Sequence, residues 1–248
     1  MEVEKLAQIT EKENARTNEY EHHVRVCAGS GCMSSDSEGI IKAMKATVKE
    51  RKTGKLCDVK GVGCMGLCGE GPIVSIDHDR VMYQHVTVGD AERIIDSLKD
   101  DDPIPDIHCP SDTDFFTKQI RIVREHAGYI DPERIEEYIA VGGYSALYKA
   151  LTEYMPDGLV LEVMHSGLRG RGGAGYPTGL KWGTVAKAPG SPKYIICNGD
   201  EGDPGAFMDR SIMESDPHLV IEGMAIAGYA VGASQGYIYV RAEYPLAI

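Results

Sequence analysis

Four cysteines fall in two tight pairs, Cys27-x4-Cys32 and Cys64-x3-Cys68. Ala-Gly-Ser-Gly lies inside the first pair, and Gly61, Gly63, Gly66 and Gly69 surround the second. Glycines at that density let a backbone bend around a cluster and aim amide N–H groups at its sulfurs. The spacing predicts a [2Fe-2S] centre on Cys27, Cys32, Cys64 and Cys68. Zinc is the competing ligand, although structural zinc sites favour closer x2 pairs on knuckle-like loops; thiol chemistry is a third reading. The chain has seven cysteines, an odd number, and no basic flank followed by an apolar run at its start, which speaks against a disulfide framework. Cys57, Cys109 and Cys197 stand alone and are expected to be small buried hydrophobes.

A second chemical feature lies about a hundred residues further on: Gly167-Leu-Arg-Gly-Arg-Gly-Gly-Ala-Gly-Tyr-Pro-Thr-Gly-Leu-Lys-Trp182. Gly170 to Gly175 satisfies G-x-G-x-x-G, which alone says little. Arg169, Arg171 and Lys181 accompany it, and Pro177-Thr178 predicts a helix start, so the loop reads as an anion cradle. No Gly-Lys-Ser/Thr closes it, so it is not a P-loop. A helix rather than a strand precedes it, which departs from the usual Rossmann fingerprint; the alternative is a flexible turn. Asn198-Gly-Asp-Glu-Gly-Asp-Pro-Gly205 follows a predicted strand, Tyr194 to Asn198, and puts polar groups at its carboxyl tip, where open α/β sheets bind ligands. A solvated acidic turn or a calcium loop is the competing reading there.

The elements that must position these groups read as follows. Residues 1–20 are polar and form an arm or a frayed helix. His22 to Cys27 alternates as a strand that delivers Cys27 to its end. Ser34, Ser35 and Asp36 can cap a helix carrying Ile40, Ile41, Met44 and Val48 on one stripe. Leu56 to Lys60 is a short strand. Ile73–Ile76 and Val81–Val86 flank a turn at Asp77-His-Asp-Arg80, and Asp90 caps a helix bearing Ile94, Ile95 and Leu98. The acidic, proline-broken stretch 99–112 reads as a linker. Residues 131–166 read as helices, starting at Asp131-Pro and broken at Gly142-Gly143. Tyr194–Asn198 is expected to be a buried parallel strand, joined through a helix starting at Asp216-Pro217 to a second strand, Gly236 to Arg241.

The expected class is therefore α/β. It comprises an arm (1–20), a domain built around the two cysteine pairs (21–98), a linker (99–112), and a helical segment with a βαβ unit beside the glycine loop (113–248). With 248 residues, two modest domains can each bury a core. A net charge of −12 argues against nucleic acid as a partner. The least polar stretch, Val220 to Ser234, is shorter than the roughly 20 residues a membrane helix needs. No membrane insertion is expected, and the cytoplasm is the expected location.

The cysteine spacing resembles that of thioredoxin-like ferredoxins. Gly167–Trp182 together with Asn198–Arg210 resembles the NADH-binding flavoprotein subunit of respiratory complex I and its soluble relatives, among them NAD-linked or bifurcating hydrogenases and formate dehydrogenases. These resemblances imply an α/β chain with a thioredoxin-like [2Fe-2S] ferredoxin domain over 21–98, then a helical segment and a partial Rossmann-like FMN/NAD-binding domain over 113–248, with FMN and NAD(H) as cofactors. The second implies that Gly170, Arg171, Gly172, Gly173 and Gly175 shape the nucleotide site, that Tyr176 packs near the adenine, and that Lys181 meets the flavin phosphate. Asn198, Asp200 and Glu201 would hydrogen-bond FMN, with Asp203, usually Glu in complex I members, near the nicotinamide. No residue is implied as a general acid or base, so catalysis would rest on orientation. The implied partners are other electron-transfer subunits of a multisubunit redox complex, with NADH as substrate. The family extends well past this point, through a bundle holding a [4Fe-4S] cluster, so a fragment is expected, with bare strand edges on its last sheet. A non-enzymatic iron–sulfur electron-transfer or docking subunit is the alternative.

Overall fold

The computed structural model describes residues 3–99 and 102–248. Residues 1 and 2 of the expected arm, and 100 and 101 of the expected linker, lie outside them. Helix α1 (Val3–Thr17) precedes strand β1 (His22–Cys27), a four-residue turn of helix α2 (Ser30–Met33) and helix α3 (Ser37–Glu50). Asp36 caps α3 by accepting the Gly39 N–H. Strands β2 (Cys57–Val62), β3 (Val74–Ile76) and β4 (Val81–Tyr83) follow, then helix α4 (Ala91–Ser97). The sheet order is β2-β1-β3-β4, with β1 and β2 parallel and the other pairs antiparallel. Val24, Val26, Ile40, Met44, Val74, Ile94 and Ile95 form its core, so the predicted stripe of α3 faces inward. Asp90 does not simply cap α4. It closes a capping box with Thr87 across the intervening 3-10 turn.

Two expectations need revising. The amino-terminal segment is a 15-residue helix, not a frayed end. Its Glu13 binds Arg16 and Arg134, and Thr10 donates to the Ile139 carbonyl, fastening it to helix α6 (Ile135–Ala140). The acidic stretch after α4 does not behave as a free linker in its described part. Cys109 N–H donates to Met82, Gln84 N–H donates to Ile107, and both Ile107 and Cys109 are buried. A proline-broken sequence can still line a sheet edge when two apolar residues anchor it.

After the single-turn helix α5 (Asp114–Thr117) and α6 come helices α7 (Ser145–Glu153) and α8 (Pro156–His165), the glycine loop and helix α9 (Thr178–Lys187). Strand β5 (Tyr194–Gly199), helices α10 (Met208–Ser215) and α11 (Pro217–Val231) and strand β6 (Gln235–Val240) complete the chain. Strands β5 and β6 pair in parallel as a two-stranded sheet. The expected burial of β5 does not occur: Ile196 is 66% exposed, and Tyr237, Ile238 and Tyr239 of β6 are exposed too. A buried carboxylate holds the helices together. Glu222 on α11 accepts Tyr138 Oη–H, the Tyr144 N–H at 2.8 Å and the Leu147 N–H at 2.9 Å.

Candidate redox site

The structure gathers the four cysteines. Cys27 ends β1, Cys32 lies in α2, and Cys64 and Cys68 sit on the loop after β2. Cys27, Cys32 and Cys64 are buried, while Cys68 is exposed. Their closeness shows in what the glycines exclude. A Cβ on Gly29 would stand 3.2 Å from Cys64 Sγ, one on Gly31 3.2 Å from Cys68 Sγ, and one on Gly71 2.8 Å from Cys32 Sγ. Main-chain donors also converge there. Met65 N–H points at Cys27 Sγ (3.4 Å), and the amides of Gly66 and Ile73 favour the Cys64 and Cys32 thiolates. Such donors stabilise charge on ligand sulfurs.

The four thiols and the glycine cradle around them offer the all-thiolate donor set, with main-chain N–H groups aimed at sulfur, that an iron–sulfur centre uses. Without metal the thiols share protons. The Cys32 thiol and burial push Cys27 up to about 12, and Cys27 with burial pushes Cys64 higher. Metal uptake must release those protons.

The glycine loop is a hairpin: Gly170 N–H donates to Tyr176, and Thr178 N–H donates to Leu168. Gly173 (φ 95°) and Gly175 (φ 60°) hold left-handed conformations, which explains the residue type there. The hairpin borders an open cleft of ≈710 Å³ against α9, β5 and α11, a volume in the range of small-molecule sites. Gly170, Gly172, Gly175, Tyr176 and Lys181 line it, together with Trp182, Tyr194 and Cys197. A Cβ on Gly172 or Gly173 would meet nothing within 4 Å, so the cradle has room for a ligand.

Arg171, Gly173, Asn198, Asp200, Glu201 and Asp203 do not line this cleft. Asn198, Asp200 and Asp203 are exposed around the carboxyl end of β5. Glu201 is buried, and its carboxylate is occupied within the protein. It accepts the N–H groups of Met208 (2.6 Å), Asp209 (3.2 Å) and Arg210 (3.3 Å), plus Tyr244 Oη–H at 3.2 Å. Burial favours the neutral acid, but these donors outweigh it and hold Glu201 below the ordinary carboxylate range. Glu201 is thus the cap of α10, a role its sequence neighbourhood conceals.

The far end of α10 reaches the cysteine site. Glu214 accepts the Ser30 N–H at 2.9 Å and Ser30 Oγ–H, while Ser215 Oγ–H donates to the Cys64 carbonyl at 3.2 Å. From the segment before α6, Arg124 donates to that same carbonyl at 2.8 Å. Sequence reasoning missed these residues because their partners are main-chain atoms, which leave no motif.

Residues 9–99 match the thioredoxin-like [2Fe-2S] ferredoxin family, and residues 163–248 match the Nuo51 FMN-binding domain. The chain thus carries in tandem two segments, each similar to one of these families. It is 57% identical over 131 residues to the NADP-reducing hydrogenase subunit HndC of Solidesulfovibrio fructosivorans, covering 53% of this chain and 26% of that protein. It is 58% identical over 118 residues to an NADH-quinone oxidoreductase subunit of Rhizobium meliloti (strain 1021), covering 48% and 28% respectively. The chain thus spans about a quarter of the length of these relatives. The thioredoxin-like [2Fe-2S] ferredoxin from Aquifex aeolicus is 23% identical, with a TM-score of 0.34, covering 37% of this chain and 98% of that one. Among the described residues, no helix is long and apolar enough to cross a membrane.

Proposed function

We infer that this chain is an electron-transfer segment of an NAD(P)H-linked flavoprotein oxidoreductase. In this reading Cys27, Cys32, Cys64 and Cys68 hold a [2Fe-2S] centre, and the glycine cleft holds FMN. The observation that carries the reading is the fusion itself: one polypeptide carries both a four-thiol cradle and a glycine-walled cleft. When bound, FMN accepts a hydride and gives up its electrons one at a time.

The chain's own residues supply placement. Lys181 offers the phosphate a cation at the mouth of α9, whose amino-terminal amides favour an anion. Gly170, Gly172, Gly173 and Gly175 let the ligand approach the backbone. Arg171, Asn198, Asp200 and Asp203 line the approach from solvent, suited to hydroxyls and ring edges, and Tyr176 offers an aromatic face for the adenine. Glu201 orders the turn that carries Asp200 and Asp203. The partners are other electron-carrying subunits of a multisubunit complex, with reduced nicotinamide nucleotide as substrate.

A test is anaerobic reconstitution with iron and sulfide followed by FMN titration. The expected result is two irons and two sulfides per chain, FMN bound with quenched fluorescence, and bleaching of the flavin band on adding NADH. Iron and sulfide without flavin would support the second reading, an iron–sulfur docking subunit, which the open face of β5 and β6 favours.

A further inference from the structure

Three charged side chains from outside the ferredoxin segment are built into the cysteine site. Arg124 presses on the loop between Cys64 and Cys68: a Cβ on Gly66 would lie 2.7 Å from Arg124 Nη1. Its Nη2 donates to the Cys64 carbonyl, and its Nε is buried with no hydrogen-bond partner. Arg210, on α10, is also largely buried; its guanidinium lies 4.0 Å from the Phe207 ring centroid. Its Nε too lacks a hydrogen-bond partner and stands 3.8 Å from Glu214 Oε1. Glu214 is fully buried and grips Ser30, between Cys27 and Cys32. Two half-buried cations, each with a buried Nε–H left without a partner, and one buried carboxylate thus flank a site expected to bear negative charge.

We propose that Arg124, Arg210 and Glu214 form a charge set that fixes the midpoint potential of the iron–sulfur centre. This rests on the reading of the four cysteines as its ligands. Reduction adds one electron to a four-thiolate cluster that is already anionic, and net charge, hydrogen bonds to sulfur and solvent exposure set its potential. A fixed cation nearby stabilises the reduced form and raises the potential; a fixed anion does the opposite. Burial makes both effects larger than at the surface. Arg210 and Glu214 sit one helical turn apart on α10, so a single helix carries two of the charges that tune the cluster. These are positioning residues, acting on the centre without ligating it.

The test is an EPR-monitored redox titration of the full reconstituted chain. Arg210→Gln and Arg124→Gln are expected to lower the midpoint, each by about a tenfold change in the reduction equilibrium, about 59 mV for one electron. Glu214→Gln is expected to raise it by a similar amount, and Arg210→Lys to stay near wild type. The opposite signs separate charge from packing, because structural damage has no reason to follow the sign of the charge removed. If Arg210→Gln fails to hold the cluster, Arg124→Gln and Glu214→Gln carry the same requirement of opposite shifts. Loaded variants with unmoved midpoints, or shifts of one sign throughout, overturn the proposal. A wild-type chain that takes up no iron or sulfide instead overturns the reading of the cysteines.

Discussion

The cysteine cradle and the glycine hairpin stand at opposite ends of a scale of packing. At the cysteine end, three of four thiols are buried, the sheet beneath them is four strands wide, and the loops close on one another so tightly that Gly29 and Gly71 admit no side chain. At the glycine end the hairpin is exposed, its glycines have open space, and two strands stand with bare faces. Both ends are rich in glycine for opposite reasons. Around the cysteines glycine is the only residue small enough; in the hairpin it supplies left-handed backbone and leaves room for something else. A closed thiol cradle and an open glycine-lined cleft thus use the same residue in two ways.

The sharpest way to break this contrast is at a ligand. Cys64→Ser should lower iron and sulfide content after reconstitution by about tenfold or more, since even indirect partners of metal ligands cost 10–100-fold in affinity; iron and acid-labile sulfide assays read it. An equal loss from Lys181→Ala would abolish the distinction between the ends. Next in size is the wedge between the cluster loop and α10. A Cβ on Gly63 would lie 2.3 Å from Ser215 Cα, so Gly63→Ala should cost about 3 kcal/mol in urea unfolding. Gly69, a few residues away, has nothing within 4 Å, and Gly69→Ala should change stability by no more than about 0.5 kcal/mol.

In the helical part, Glu222→Gln puts an amide where three donors converge. It should cost about 2 kcal/mol, with Tyr138→Phe costing about 1 kcal/mol. The smallest expected effect is that of pH at Glu201. Its carboxyl is held low in the folded chain, so its contribution is present above the ordinary carboxylate range and is lost as pH falls through the lower folded value. Hydrogen-exchange protection at the first turn of α10, measured relative to the intrinsic rate at each pH, should therefore fall in acid, and Glu201→Gln should flatten that dependence.

The sequence made some of this legible and concealed the rest for physical reasons. The cysteine spacing, the stripe of Ile40 and Met44, the Asp36 cap and the start of α9 at Thr178 each follow from local chemistry, and local chemistry is written in adjacent residues. The polar turn after β5 was legible as a place, but the role of Glu201 was not: whether a carboxylate in an acidic turn faces a ligand or caps a helix depends on where α10 packs. Residues 103–109 read as linker because proline and aspartate dominate them, yet Ile107 and Cys109 tie them to the sheet edge. Strand β5 looked buried because Ile195 and Ile196 are apolar; burial needs a covering layer, and a strand's composition cannot supply one. Arg124 and Ser215 both bond to the carbonyl of Cys64, and a carbonyl has no letter in the sequence.

The contact between Ser30 and Glu214 joins positions 184 residues apart. Bringing such distant points together adds only slowly to the entropic cost as the loop lengthens, but it must wait until most of the chain exists and slows folding accordingly. On the ribosome the β1–β2 pairing is available early, whereas docking of α10 can begin only after residue 215 has emerged. Maturation of the metal centre therefore has a natural window, between synthesis of its last thiol and arrival of the helix that seals one side of it.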